Sequence, residues 1–118
     1  MEERIEIGLL YDFYGPLLTE RRAELVRLYC EEDWSLTEIA AELGVSRQGV
    51  YDALRHAKGK LLGYEQKLRL MVRWLDMERA VAACREQLSA VTPAPGSESA
   101  LDSARRALER IEYVQREI

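Results

Sequence analysis

The sequence predicts an all-α fold, and three observations carry that reading. Leu and Ala together number 30, against 15 for Val, Ile and Thr, a balance that favours helix over sheet. Only three prolines and seven glycines interrupt the 118 residues. The long apolar patterns repeat at helical or heptad spacing rather than every second residue. The length suits one domain, or a small domain with an appendage. Hydrophobic residues make up 47% of the chain, enough for a packed core. Charged residues make up 32%, above the roughly 25% of an average domain, so the surface is highly charged.

The first helix is expected from about Arg4 to Tyr14, with Ile5, Leu9, Leu10 and Phe13 at helical spacing. Gly15-Pro16 stops it. Thr19 is the next N-cap, with Glu20 in a first turn where the helix dipole favours an acid. Ala23, Leu25, Val26, Leu28, Tyr29 and Cys30 carry the second helix to about Glu31, and Glu31-Glu32-Asp33 is a polar break.

Ser35 and Glu38 then form a capping box, each side chain placed to satisfy the other's orphan backbone N–H. Trp34 and Ile39 stand where a hydrophobic staple packs. The short helix that follows, Leu36 to Leu43, ends at Gly44, a natural left-handed C-cap. Only Val45 separates Gly44 from Ser46, a fresh N-cap, and Val45 with Val50 makes a second staple. A helix is expected from Arg47 to about Lys60, loosened at its end by Gly59 and Gly63. Val50, Leu54, Ala57 and Leu61 form its buried stripe, and small Ala40 lets it cross the preceding helix closely. Its opposite face carries Gln48, Tyr51, Asp52 and Arg55, with Arg47 and Lys58 at the margin. Two helices joined by a three-residue turn containing Gly read as a helix-turn-helix without a wing, its second helix placed to enter a major groove.

A further helix from Leu62 to Val91 would be about 45 Å long at 1.5 Å per residue. Leu70, Trp74, Met77, Val81, Cys84, Leu88 and Val91 form a heptad seam along it. Thr92 to Ser97 is the one linker-like stretch. Ser99 caps a last helix in which Leu101, Ala104, Leu108, Ile111 and Ile118 keep heptad spacing, with Gln115 in the gap. The last two helices read as an antiparallel hairpin or as a dimer interface. The expected division is therefore a helix-turn-helix domain over residues 1–62 and a helical hairpin or dimerisation region over 63–118.

Net charge is −4, but it is unevenly spread: −5 over residues 1–33, +3 over 34–75 and −2 over 76–118. A middle segment more basic than its flanks suits one anion-facing element. Cys30 and Cys84 lie far apart and read as reduced core thiols. His56 is the sole histidine, so no metal site of about four Cys/His ligands at short spacings can be assembled. No apolar run approaches the ~20 residues of a membrane span. The opening Met1-Glu2-Glu3-Arg4 is too acidic for a signal peptide, and a cytoplasmic location is expected. No phosphate loop, nucleophile–base pair or carboxylate pair is present, so neither catalysis nor a cofactor is expected.

Tyr11-Asp12-Phe13-Tyr14, Leu17-Leu18-Thr19, Tyr29 through Leu36, Ser46 through Asp52 and Tyr64 through Leu68 together resemble the YlxM family over roughly residues 5–90. SRQGVYD at Ser46–Asp52 is the most telling stretch. These are small bacterial proteins whose helix-turn-helix is similar to region 4 of sigma factors. The resemblance implies a bacterial protein that modulates the signal recognition particle pathway or regulates its operon, because the family is usually encoded beside that particle's GTPases.

Two functions follow as expectations. In the first, the protein is a DNA-binding transcription regulator. The Ser46 N-terminus of the helix, Arg47 and Lys58 hold phosphates, while Gln48, Tyr51 and Arg55 read base edges. Asp52 either accepts from a cytosine amine or pairs with Arg55 or His56. In the second, it is a protein- or RNA-binding adaptor of the signal recognition particle, in keeping with a pI near 5.1 and an acidic N-terminal third. A homodimer is expected, because the long seam offers more apolar surface than one last helix covers.

Overall fold

A computed structural model of the chain describes residues 2–116. It contains six α-helices: α1 (Glu3–Tyr14), α2 (Glu20–Cys30), α3 (Leu36–Leu43), α4 (Arg47–Leu68), α5 (Leu70–Ala90) and α6 (Glu98–Arg116). No strand occurs among the described residues, so the fold is all-α. The chain forms two compact units, Met1–Met71 and Val72–Ile118. The first thus reaches nine residues beyond the expected boundary at residue 62.

In the first unit, α1, α2 and α3 pack on α4. Ile7, Leu10 and Tyr14 of α1, Leu25, Val26 and Leu28 of α2, and Ile39 and Ala40 of α3 surround the Val50, Leu54, Ala57, Leu61 row of α4. The buried face of α1 differs from the expected one. Ile5 is exposed, and Tyr14 is fully buried because its hydroxyl has partners inside. Gly15–Leu17 form a single 3-10 turn before Thr19 caps α2 by accepting the Arg22 N–H at 3.3 Å.

Asp33 takes a left-handed φ of 56° in the loop between α2 and α3. Arg4 fastens this loop. Its guanidinium donates to the carbonyl of Tyr29 and, at 3.3 Å, to that of Trp34, pairs with Asp33 at 3.2 Å, and lies 3.9 Å above the Tyr29 ring. Cys30, half-buried behind the same side chain, donates to the Arg4 carbonyl at 3.5 Å, and burial pushes its thiol up to about 11.

Two expectations are corrected at the far end of α4. The helix runs through Gly59 and Gly63 to Leu68, because the apolar row continues to Leu61 and Tyr64 still packs on the core. The single long helix is broken at Arg69, which takes a left-handed φ of 56°. The first N–H groups of α5 are claimed there: Leu70 N–H by the Tyr14 hydroxyl at 3.0 Å and Met71 N–H by Glu65 at 3.0 Å. A restart with its orphan donors satisfied can compete with helix continuation.

In the second unit, α5 and α6 run antiparallel, joined by a turn through Gly96 at φ 89°. Arg85 of α5 grips Glu112 of α6 through Nε, at 3.1 Å to each carboxylate oxygen, and through Nη2. Val81, Leu108 and Gln115 are the buried side chains of this unit. Among the described residues, Gln115 Nε2 is buried without a hydrogen-bond partner. The helix begins at Glu98, two residues ahead of the start implied by a Ser99 cap, with Leu101 N–H bonding Ser97 O at 3.1 Å. Cys84, expected in the core, is exposed, since its row on α5 faces away from α6. Ile118, expected on the last seam, lies outside the described residues.

Candidate nucleic-acid interface

The turn between α3 and α4 is built from local chemistry. Ser35 Oγ accepts the Glu38 N–H and Glu38 accepts the Ser35 N–H, both at 3.1 Å, closing the capping box. These bonds favour the ionised carboxylate, and they hold the Glu38 carboxyl below the usual range. Gly44 ends α3 at φ 69°, where an L side chain would be strained. Val45 N–H bonds back to Ala40 O at 3.1 Å, the six-to-one bond of a Schellman ending. Ser46 then caps α4 by accepting the Gly49 N–H at 2.9 Å. Trp34 and Ile39 both join the core, whereas Val45 stays exposed, so only the first of the two expected staples is made.

The caps fix the rotation of α4. Burying Val50, Leu54, Ala57 and Leu61 turns the opposite side of the helix outward at about 100° per residue. Ser46, Arg47, Gln48, Tyr51, Asp52 and Arg55 are all exposed there, and Lys58 is half-buried at the margin. Arg55 carries its guanidinium 5.8 Å from the centre of the Tyr51 ring. Arg47 makes no ion pair among the described residues.

Two side chains on this surface have partners other than those expected. Asp52 pairs with neither Arg55 nor His56. It accepts the Gln48 side-chain N–H at 3.0 Å, one helical turn back. Lys58 forms an ion pair at 3.4 Å with Glu3 of α1. Glu3, Tyr51, Arg55, Lys58, Gly59 and Leu62 line a cleft of about 390 Å³ along the outer side of α4. On the other flank of α4, Thr19, Arg21, Arg22 and Leu25 of the α2 entry meet Ala53 in a hollow of about 280 Å³. Glu3, Arg21 and Arg22 were not singled out in the sequence. Only packing shows that they border α4.

A family model described as "UPF0122: Putative helix-turn-helix protein, YlxM / p13 like" matches residues 1–91. The chain belongs to this family. The match takes in the whole three-helix surround of α4 and runs on through α5. A UPF0122 protein of Symbiobacterium thermophilum is 43% identical over 108 residues, covering 92% of this chain and 94% of that one. One from Acetivibrio thermocellus is 36% identical over 114 residues, covering 97% of each chain. One from Caldanaerobacter subterraneus is 46% identical over 78 residues, covering 66% of this chain and 67% of its own. The first two alignments extend past the family match into α6, so these two relatives share nearly the whole length and not the helix-turn-helix alone. Among the described residues no cluster of His, Cys, Asp or Glu could hold a metal ion, and no helix is long and apolar enough to cross a membrane.

Proposed function

We propose that this UPF0122 protein is a DNA-binding regulator that acts as a homodimer and lays the outer face of α4 in the major groove. The observation that carries the reading is the exposed row Gln48, Tyr51, Asp52, Arg55 on a helix that both ends of the turn hold in one rotation. Such a row is what a recognition helix offers to base edges, with Arg suited to guanine and Gln to adenine. Arg47, and Arg21 and Arg22 on the flank, add positive charge for phosphates, which position the protein without reading sequence. We read the regulated process as the signal recognition particle pathway, the expectation that the likeness to the YlxM proteins carries.

A second reading draws on the partners found on the surface itself. Lys58 is already neutralised by Glu3, and Gln48 is already bonded to Asp52. A face so engaged suits an adaptor that binds the particle's protein or RNA and leaves duplex DNA alone. One pair of measurements separates the readings. Fluorescence anisotropy of the full chain with its own promoter duplex and with a scrambled duplex tests the first. Capture of the particle's purified protein and RNA tests the second. Promoter binding that is specific and steeply salt-dependent supports the regulator. Absence of binding to either duplex at low salt, with the particle captured, overturns it.

A further inference from the structure

The geometry points to the face on which two copies of this chain meet: the apolar side of the α5–α6 hairpin, opposite the Arg85–Glu112 pair, with α6 of each copy packed antiparallel on α6 of the other about an axis at Ala107. This deepens the homodimer of the proposed function, and does not depend on the DNA in it.

The starting observation is an alternation. Along the α5 seam, Trp74, Val81 and Leu88 are buried or half-buried, while Met77, Cys84 and Val91 are exposed. Along α6, Leu101, Leu108 and Gln115 are buried or half-buried, while Ala104 and Ile111 are exposed. Each helix therefore uses every second member of its heptad seam against the other and leaves the intervening members open. A heptad seam fully used has both kinds of position in contact with a partner helix.

The open members lie together. The charged groove of about 440 Å³ is lined by Glu78, Ala82 and Arg85 on α5 and by Glu109, Glu112 and Arg116 on α6, so these residues share one face of the hairpin. At 100° per residue, Arg73, Met77, Ala80, Cys84 and Gln87 fall on the other side of the α5 contact line, and Val91 follows just past the helix end. By the same geometry Ala100, Ala104, Ala107, Ile111 and Val114 fall on the other side of the α6 line. All of these are exposed, Met77 and Val114 at 54% and Ile111 at 45%. Fifteen of the 47 residues from Val72 to Ile118 are charged, and of these only Arg73, at the start of the α5 stripe, stands on this side. A solvated helix face in so charged a segment would carry several.

The shape of the α6 stripe selects the occupant. Its first half is small, Ala100, Ala104 and Ala107, and its second half is bulky, Ile111 and Val114. A two-fold related copy reverses the direction of the helix. Val114 of one copy then falls over Ala100 of the other, and Ile111 over Ser103 beside Ala104, bulk on small, in both halves at once. That is the self-complementarity an isologous interface requires. The α5 stripes face each other alongside, and the result is a four-helix bundle.

The test is the mass of the full chain by light scattering at micromolar concentration without DNA, together with two cysteine variants in a Cys30→Ser, Cys84→Ser background. The expected mass is twice the 13.6 kDa of one chain. Ile111→Glu should halve it with helicity by circular dichroism unchanged. Ala107→Cys should form a disulfide-linked dimer under mild oxidation, since its partner stands at the axis within disulfide reach, whereas Ala82→Cys on the charged face should not. A parent of single-chain mass, a dimer untouched by Ile111→Glu, or equal cross-linking of the two cysteine variants would overturn the assignment. If Ile111→Glu loses helicity, the two cysteine variants decide. Because no DNA is present, failure here leaves the DNA reading to its own experiment.

Discussion

The hydroxyl of Tyr14, at the end of α1, donates to the carboxylate of Glu65, on the last turns of α4, at 2.5 Å. The same hydroxyl accepts the Leu70 N–H, and the same carboxylate oxygen accepts the Met71 N–H. Two side chains fifty-one residues apart thus decide where one helix stops and the next begins.

Tyr14→Phe should therefore cost about 1–2 kcal/mol, since it leaves the part-buried Leu70 N–H without its acceptor and the Glu65 carboxylate short of a donor. Equilibrium urea unfolding of parent and variant measures this. Burial, and then the bond to Glu65, raise the Tyr14 pKa above its usual 10.0. A raised pKa means that the protonated hydroxyl is favoured in the folded state. Its contribution is complete below pH 10 and is lost as pH rises through the folded value. The parent should lose stability at alkaline pH that the Phe variant does not.

Ser35→Ala should cost about 1 kcal/mol, the usual worth of an N-cap, with a smaller dependence on acid. The bonds from Ser35 depress the Glu38 pKa, so the capping box stabilises the fold above the ordinary carboxylate range and fades as pH falls through the folded value. Because the residue-35 backbone N–H, the larger cause of that depression, survives in the Ala variant, the gap in denaturation midpoint between parent and variant should narrow only in part below the ordinary carboxylate range. A gap unchanged there would show that the Ser35 side chain takes no part in holding Glu38.

Gly49→Ala at first sight removes a glycine from a helix and should gain up to ~1 kcal/mol. The structure changes that forecast. A Cβ at residue 49 would stand 3.1 Å from Ser46 Oγ, the atom that caps α4. The hydroxyl must give way, weakening the cap by a similar amount. The expected net is between zero and ~1 kcal/mol of destabilisation. A clear gain in melting temperature would mean that the cap tolerates the methyl.

Gln115 follows Leu101 and Leu108 in the inward row of α6, and among the described residues its side-chain N–H has no acceptor. Gln115→Leu completes the row and removes the orphan donor. It should stabilise the hairpin by about 1–3 kcal/mol, read as a rise in the denaturation midpoint at unchanged cooperativity.

What was legible in the sequence was local. Leu36–Leu43, its capping box and the Gly44 ending were read to the residue, because Ser35, Glu38, Gly44 and Ser46 act within four positions of one another. The inward row Val50, Leu54, Ala57, Leu61 followed from period alone. The break at Arg69 was not legible. Arg is a good helix former, and the groups that favour the break come from Tyr14 across the fold. Lys58–Glu3 was hidden for the same reason. The Gln48–Asp52 bond was within reach, as an i, i+4 pair. The heptad seams were visible, but a period shows which residues share a face and not how much of that face a neighbour covers.

The last prediction concerns the outer face of α4. Arg55→Ala should weaken the specific site by ~1–3 kcal/mol and relax preference at one base pair. As a free cation Lys58 would contribute one full phosphate contact. Since it is paired with Glu3, Lys58→Ala should reduce the salt slope by less than one. Glu3→Gln frees that ammonium, and should strengthen binding to all duplexes and steepen the slope by about one. Asp52→Asn keeps an acceptor for Gln48 while removing a negative charge, so non-specific binding should tighten without loss of fold. All these side chains point away from Val50, Leu54 and Ala57, and melting temperatures should move little. Anisotropy titrations at several salt concentrations separate the outcomes. If Glu3→Gln and Asp52→Asn leave duplex affinity unchanged, phosphates do not approach this face of α4. The adaptor reading then takes its place.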